Sequence, residues 1–198
     1  MDIILASASK RRSLILSSCG IKHKVIKSRI PELTSGKSPS FLSMQNAFLK
    51  AMDVSSRLKK GYVIAADTVV KIGKKIIGKP RDEGRAKRLL KEMSGKTVYV
   101  YTGLCIVDVK TKKLVKDYEC SIIKVRRIND REISRYFKLL GPYDKAGGFS
   151  IEGVGSFIFD NIKGSYFNIL GLPTAKLKEM FERLGVDLLD VITSETQL

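Results

Sequence analysis

The chain has 198 residues, 43% of them hydrophobic and 29% charged, and its 37 basic side chains outnumber 20 acidic ones for a net charge of +17. This balance suits a globular protein with a sizeable core, and no apolar run reaches the roughly 18 residues of a membrane span. A single histidine, His23, and three cysteines without metal-ligand spacing, Cys19, Cys105 and Cys120, exclude a His-dependent triad and a His-rich zinc site.

With an odd number of cysteines and no leader ahead of Ile3, the protein is expected in the cytoplasm. The charge excess favours an anionic partner. Its basic residues are spread over Lys22 to Arg29, Lys71 to Lys75, Arg85 to Lys91 and Lys110 to Lys116. That dispersal reads as a solvated surface, so a nucleic-acid partner is not expected.

Ile3 to Ala6 reads as a first strand, followed by the small polar turn Ser7-Ala8-Ser9 and a helix from Lys10 to Cys19 with Ser9 as N-cap and Gly20 as its stop. A helix N-terminus carrying Arg11 and Arg12 beside such a turn is a ready phosphate site. Lys24 to Lys27 reads as a second strand. A loop holding Glu32 then leads into a helix from Pro39 to about Leu58, on which Lys50 lies beside Ala47 and Ala51.

Tyr62 to Val70 is a continuous apolar run interrupted only by Asp67 and Thr68, so it reads as a strand buried on both faces. An acid inside such a strand is costly unless paired or metal-bound. After a Lys/Gly turn the chain returns through Ile76-Ile77 to Gly78-Lys79-Pro80, which places a carboxylate and an ammonium at the ends of paired strands. A helix from Glu83 to Met93 follows. Thr97 to Val109 and Leu114 to Val125 form an antiparallel pair about the turn Lys110 to Lys113. Asn129 caps a helix to Leu140. The glycine-rich stretch from Tyr143 to Gly155 allows close approach to a ligand but lacks both the phosphate-loop and the dinucleotide fingerprints. Ser156 to Ile162 reads as the last strand and Thr174 to Leu184 as the last helix. No linker or repeat is visible, so residues 1–190 are expected to form one domain and 191–198 a tail.

Together these motifs resemble the Maf family of nucleoside triphosphate pyrophosphatases. They are Leu5-Ala6-Ser7-Ala8-Ser9-Lys10-Arg11-Arg12, Ala65 and Asp67-Thr68-Val69-Val70 with Gly78-Lys79-Pro80, Ser94-Gly95 with Tyr101-Thr102-Gly103, and Asp144-Lys145-Ala146-Gly147 with Ile151-Glu152-Gly153 and Gly171-Leu172-Pro173. The resemblance implies an α/β fold like that of inosine triphosphate pyrophosphatases, a mixed sheet with two lobes and a central cleft. It also implies hydrolysis of a nucleoside triphosphate to the monophosphate and pyrophosphate with Mg²⁺ or Mn²⁺.

By the same resemblance Asp67 is the proton acceptor for the attacking water, and Glu32 and Asp67 are the metal ligands. Ser7, Arg11, Arg12, Lys50, Lys79 and Lys145 would hold the phosphates. Arg11, Thr68 and Glu152 would set the base. Arg11 and Thr68 match the dTTP/UTP branch, which carries Gln where this chain has Glu152. Glu there is like the 7-methyl-GTP branch, which has Trp and Gln at the other two positions. The family usually has Pro at Lys10 and often His near Val98. Relatives are often homodimers. The alternatives to a dTTP/UTP enzyme are therefore a pyrophosphatase for 7-methyl-GTP or other noncanonical triphosphates, and a non-enzymatic binder of nucleic acid or division proteins.

Overall fold

A computed structural model of the protein describes residues 1–140 and 146–192, and its organising element is the strand β3, Tyr62–Ile72. Eight of its eleven residues are buried, including the run Val63 to Asp67, as a strand covered on both faces requires. On one side all eleven residues pair antiparallel with β5, Thr97–Asp108, in a register that sets Asp67 opposite Gly103 and Thr68 opposite Thr102. On the other side β1, Ile3–Leu5, runs parallel to β3 but reaches only Ile64, and β4, Lys75–Ile77, joins only from Val70 onward. Ala65 to Val69 are thus left without a strand neighbour on that edge. Ligand crevices of α/β sheets open at such carboxyl ends of parallel strands.

The sheet is completed by β2, Lys24–Val25, beside β1, and by β6, Leu114–Val125, and β7, Phe159–Lys163, beyond β5. The result is the mixed α/β arrangement expected, with seven strands among the described residues. Its two faces carry separate cores. On one face α2, Pro39–Ser55, packs Ala47, Ala51 and Val54 against Val63, Ala65, Cys105 and Val107. On the other, one larger core collects Ile15 and Leu16 of α1 (Lys10–Ser18), Leu89 and Leu90 of α3 (Glu83–Met93) and Tyr136 and Phe137 of α4 (Asp130–Leu140). It extends through Ile169 and Leu170 of α5 (Tyr166–Leu170) to Leu177 and Phe181 of α6 (Thr174–Glu182).

Three local expectations shift. Ser9 stands at the N-cap of α1 but its side chain makes no capping bond, and its N–H instead donates to Ser7 Oγ at 3.1 Å. The last strand begins at Phe159, because Gly153 at φ +56° folds the preceding residues into a 3-10 turn, Gly153–Ile158. Ser165 caps a five-residue helix, α5, where sequence periodicity is too short to register, and Gly171 at φ +98° ends it. Gly141, Pro142, Tyr143, Asp144 and Lys145, and the tail residues 193–198, lie outside the described residues.

One glycine determines how close α2 comes to the sheet. A Cβ on Gly103 would lie 2.3 Å from both Met44 N and Ser43 C of α2, so the helix backbone rests directly on β5 there. Backbone offers no rotamer by which to yield. Gly103→Ala should therefore push α2 outward and destabilise the protein by about 1–3 kcal/mol or more, read as a fall in the urea midpoint at constant m-value. A midpoint equal to that of wild type would show that the close approach does not constrain the fold.

Candidate functional site

The site is assembled in the gap beside β3. Asp67 points to the α2 face, in step with Val63 and Ala65, and its side chain is only 9% exposed. An ionised carboxylate there needs partners, and α2 supplies two. Lys50 Nζ donates to Oδ1 at 2.7 Å and Asn46 Nδ2 to Oδ2 at 3.0 Å. Asn46 and Lys50 stand one helical turn apart on the buried stripe of α2, where apolar side chains would otherwise be expected. Two polar residues on a core-facing stripe are a legible signal, and for Asn46 the sequence reading did not use it.

Asn46 also fixes the loop that carries Glu32. Its Oδ1 accepts from Leu33 N at 2.8 Å and its Nδ2 donates to Leu33 O at 3.1 Å. Glu32 thereby reaches the same ammonium, with Lys50 Nζ 2.6 Å from Oε1. Partial burial alone would raise the Glu32 carboxyl. The hydrogen bond from Lys50 and the charges of Lys50, Lys79 and Arg12 outweigh it and hold the group below the usual carboxylate range. Glu32 is accordingly an anion at neutral pH. Two carboxylates converge on one cationic point, and Lys79, exposed after β4, contributes its field from across the gap.

Arg12 closes the gap at the sheet edge. Its Nε donates to Gly171 O at 2.8 Å, Nη1 to Ala66 O at 2.9 Å and Ser7 Oγ at 3.3 Å, and Nη2 to Thr68 Oγ1 at 3.0 Å. A guanidinium has five N–H donors, so these bonds leave one. Arg12 is thus built into the protein as a strut and a fixed charge, and it cannot offer a bidentate fork to a phosphate. Burial lowers its pKa, and the charges of Asp67 and Glu32 pull the other way. Ser7 Oγ already accepts from Ser9 N and Arg12, which leaves its hydroxyl hydrogen to donate to an anionic oxygen.

The hydroxyls behind Arg12 form a directed chain. Thr102 Oγ1 donates its one hydrogen to Asn168 O at 2.9 Å. In the 3.0 Å contact between Thr68 and Thr102, the donor must therefore be Thr68. Thr68 accepts from Arg12 and donates to Thr102, so its hydroxyl hydrogen is spent inside the fold. Asn168, fully buried, donates through Nδ2 to Val100 O at 3.0 Å and Ser121 Oγ at 2.8 Å, which locks α5 to β5 and β6. Thr102, Asn168 and Gly171 escaped the sequence reading as parts of the site because only the register and the long-range return of α5 bring them to Arg12.

Arg11, one residue before the strut, is the freer cation. Its Nη2 lies 2.9 Å from Glu152 Oε2, with side chains 22% and 46% exposed. The structure therefore gathers Asp67, Lys50 and Glu32 on the α2 face, Ser7, Arg12 and Thr68 at the sheet edge, and Arg11 with Glu152 beside them. Lys145, expected to hold phosphate, lies outside the described residues.

The Maf-like protein family model matches residues 2–184, and the chain belongs to that family. It is 43% identical over 184 residues to a protein of Thermoanaerobacter sp. (strain X514) called dTTP/UTP pyrophosphatase, an alignment spanning 92% of this chain and 96% of that one. It is 40% identical to a protein of the same name from Clostridioides difficile (strain 630), covering 92% and 95%. Among solved structures, the Ham1 protein of Staphylococcus aureus overlaps 63% of this chain and 72% of its own at TM-score 0.45 and 14% identity.

The hydroxyl chain is testable without substrate. Thr102→Val keeps the shape but deprives the Thr68 hydroxyl of its acceptor in a buried setting, which should cost about 1–3 kcal/mol. Thr102→Ser should recover most of it, both read by urea unfolding. Equal stability of the Val and Ser variants would show that the hydroxyl carries no load.

Proposed function

We propose that the protein hydrolyses the α–β phosphoanhydride of dTTP and UTP to the monophosphate and pyrophosphate, a house-cleaning activity on the cytoplasmic nucleotide pool. The observation that carries this reading is the Asp67 carboxylate, buried in β3 and held by Lys50 and Asn46 at the gap in the sheet edge. The names of the relatives support it.

Each Asp67 oxygen accepts one hydrogen bond from Lys50 or Asn46 and so retains lone-pair capacity. One such site can orient a water toward the α-phosphorus and take its proton as the phosphorus–oxygen bond to the β-phosphate breaks. The leaving pyrophosphate needs cations. Lys79 and Arg11 supply them from the more exposed positions, Lys50 offers the one N–H its two carboxylates leave, Ser7 adds a hydroxyl, and Arg12 adds a fixed positive field. No group of three or more His, Cys, Asp or Glu able to hold a metal occurs among the described residues. Glu32 and Asp67 nevertheless face the same small volume, through their shared contact with Lys50. That pair fits the way Mg²⁺ is held by one or two carboxylates plus substrate phosphates. Bound there, Mg²⁺ or Mn²⁺ would neutralise charge on the phosphate oxygens.

Glu152 accepts hydrogen bonds only, and with Arg11 it stands where the base is expected. Thr68 keeps one acceptor site, so its influence on the base is exerted chiefly through Arg12. The relatives' names put pyrimidine triphosphates first, and an acceptor-only Glu152, suited to the N–H donors of guanine, brings guanine nucleotides next.

The test is pyrophosphate release from dTTP, UTP, CTP, GTP and 7-methyl-GTP with Mg²⁺ or Mn²⁺, for wild type and Asp67→Asn. The highest kcat/KM should fall on dTTP and UTP, and the variant should lose about 10²–10⁴-fold in kcat while remaining folded. Turnover above about a tenth of wild type in the variant, or no pyrophosphate release by wild type, would overturn the assignment.

A further inference from the structure

Lys74 and Lys75 from one basic run and Arg85 and Arg88 from another, apart in the sequence, meet in space across one groove between the β3–β4 hairpin and α3. Two adjoining hollows of about 390 and 380 Å³ run along it. Lys74, Lys75 and Lys96 line one end, and Lys79, Arg81, Arg85 and Arg88 the other. Its two acids are already engaged. Asp82 Oδ1 caps α3 by accepting from Arg85 N at 2.6 Å, and Glu92 pairs with Arg85 at 3.4 Å. Among the described residues no salt bridge neutralises the other lysines and arginines of the groove, whereas the neighbouring Lys87 is paired with Glu83 at 2.6 Å.

We propose that this groove is a second binding site, for the sugar-phosphate backbone of duplex nucleic acid. The argument is one of charge, length and the absence of alternatives. Eleven residues of α3 span about 16 Å, over which each strand of a duplex presents about five phosphates. The groove presents seven lysines and arginines, of which only Arg85 is in a salt bridge among the described residues, enough to neutralise the phosphates of one strand. Single-strand grooves add aromatic side chains on which bases stack, and the lining here contains no Phe or Tyr. An acidic peptide would need several apolar anchor points, but the floor residues Ile72, Ile77 and Leu89 are 7%, 4% and 1% exposed and belong to the core, which leaves half-buried Ile76 as the one accessible aliphatic side chain of the lining. The unpaired charged groups the groove offers a partner are all ammonium and guanidinium, so recognition is of backbone and independent of sequence. Lys79 sits where the groove meets the catalytic gap, so a bound duplex would lie beside the nucleotide site without occupying Asp67.

The experiment is fluorescence anisotropy with a labelled DNA duplex of about 20 base pairs across a salt series. Three proteins are compared: wild type, the groove variant Lys74→Ser/Lys75→Ser/Arg88→Ser/Lys96→Ser, and a variant of equal charge, Lys59→Ser/Lys60→Ser/Lys110→Ser/Lys113→Ser. The second set is exposed at the opposite end of β3 and β5, and neither set includes a residue of the catalytic gap. Wild type should bind with micromolar Kd near about 0.1 M salt. The groove variant should lose at least about tenfold in affinity, with a log Kd against log salt slope shallower by about three to four. The opposite-end variant should stay within about threefold of wild type, and kcat at saturating dTTP should be unchanged in both. No binding by wild type, equal losses in the two variants, or displacement of the duplex by polyglutamate at matched charge concentration would each overturn the proposal. Because the readout is binding, it stands or falls apart from the pyrophosphatase reading.

Discussion

Almost everything in this structure turns on one buried ion pair. Asp67 and Lys50 have side chains 9% and 11% exposed, and taking two charges that far out of water costs several kcal/mol per ion before their attraction is counted. Such pairs are poor investments in stability and are commonly replaced at no loss by apolar residues of similar volume. Their retention makes sense when the charges are needed for chemistry. The surroundings are arranged to make the pair tolerable. Asn46 satisfies the second carboxylate oxygen, and the more exposed Glu32 takes a further hydrogen bond from the ammonium.

The backbone around the pair follows from that demand. For Asn46 and Lys50 to reach Asp67, α2 must lie against the sheet at the level of Asp67, and the residue opposite Asp67 in β5 is Gly103. Parallel pairing with β1 stops at Ile64, so the edge of β3 opens just where Asp67 lies. Arg12 then spans the opening through Gly171, Ala66, Ser7 and Thr68. It holds together three segments, the turn after β1, β3 and the end of α5, that sequence separation would leave independent. An arginine so fully engaged contributes geometry and potential, and in the proposed reaction direct phosphate contact would pass to its neighbours.

How far the sequence foretold this depends on the range of the interaction. β3 was legible because apolar, β-branched residues over that length have few other homes, and Asp67 stood out because it broke the run. The helices α1, α2 and α3 and the β5–β6 pair were likewise carried by local pattern. Thr102 and Gly103 were not legible as site residues, since their importance arises from a cross-strand register fixed only when β3 and β5 zip together. Arg12 was visible as a cation near a helix start, but its hydrogen-bond inventory depends on Gly171, distant in the chain. The spatial grouping of the basic surface was hidden for the same reason. Runs dispersed along the chain looked solvated, and only the packing of α3 beside the β4 hairpin brings two of them to one groove.

The central claim is that the Asp67–Lys50 pair is kept for chemistry and not for stability. The most direct measurement is the unfolding free energy of Asp67→Asn/Lys50→Met, which deletes both charges, keeps an acceptor for Asn46 and preserves volume. The account predicts stability within about 1 kcal/mol of wild type or above it. A loss of about 3–5 kcal/mol, the cost of breaking a buried pair by removing one partner, would contradict it, because the pair would then be a structural requirement in its own right.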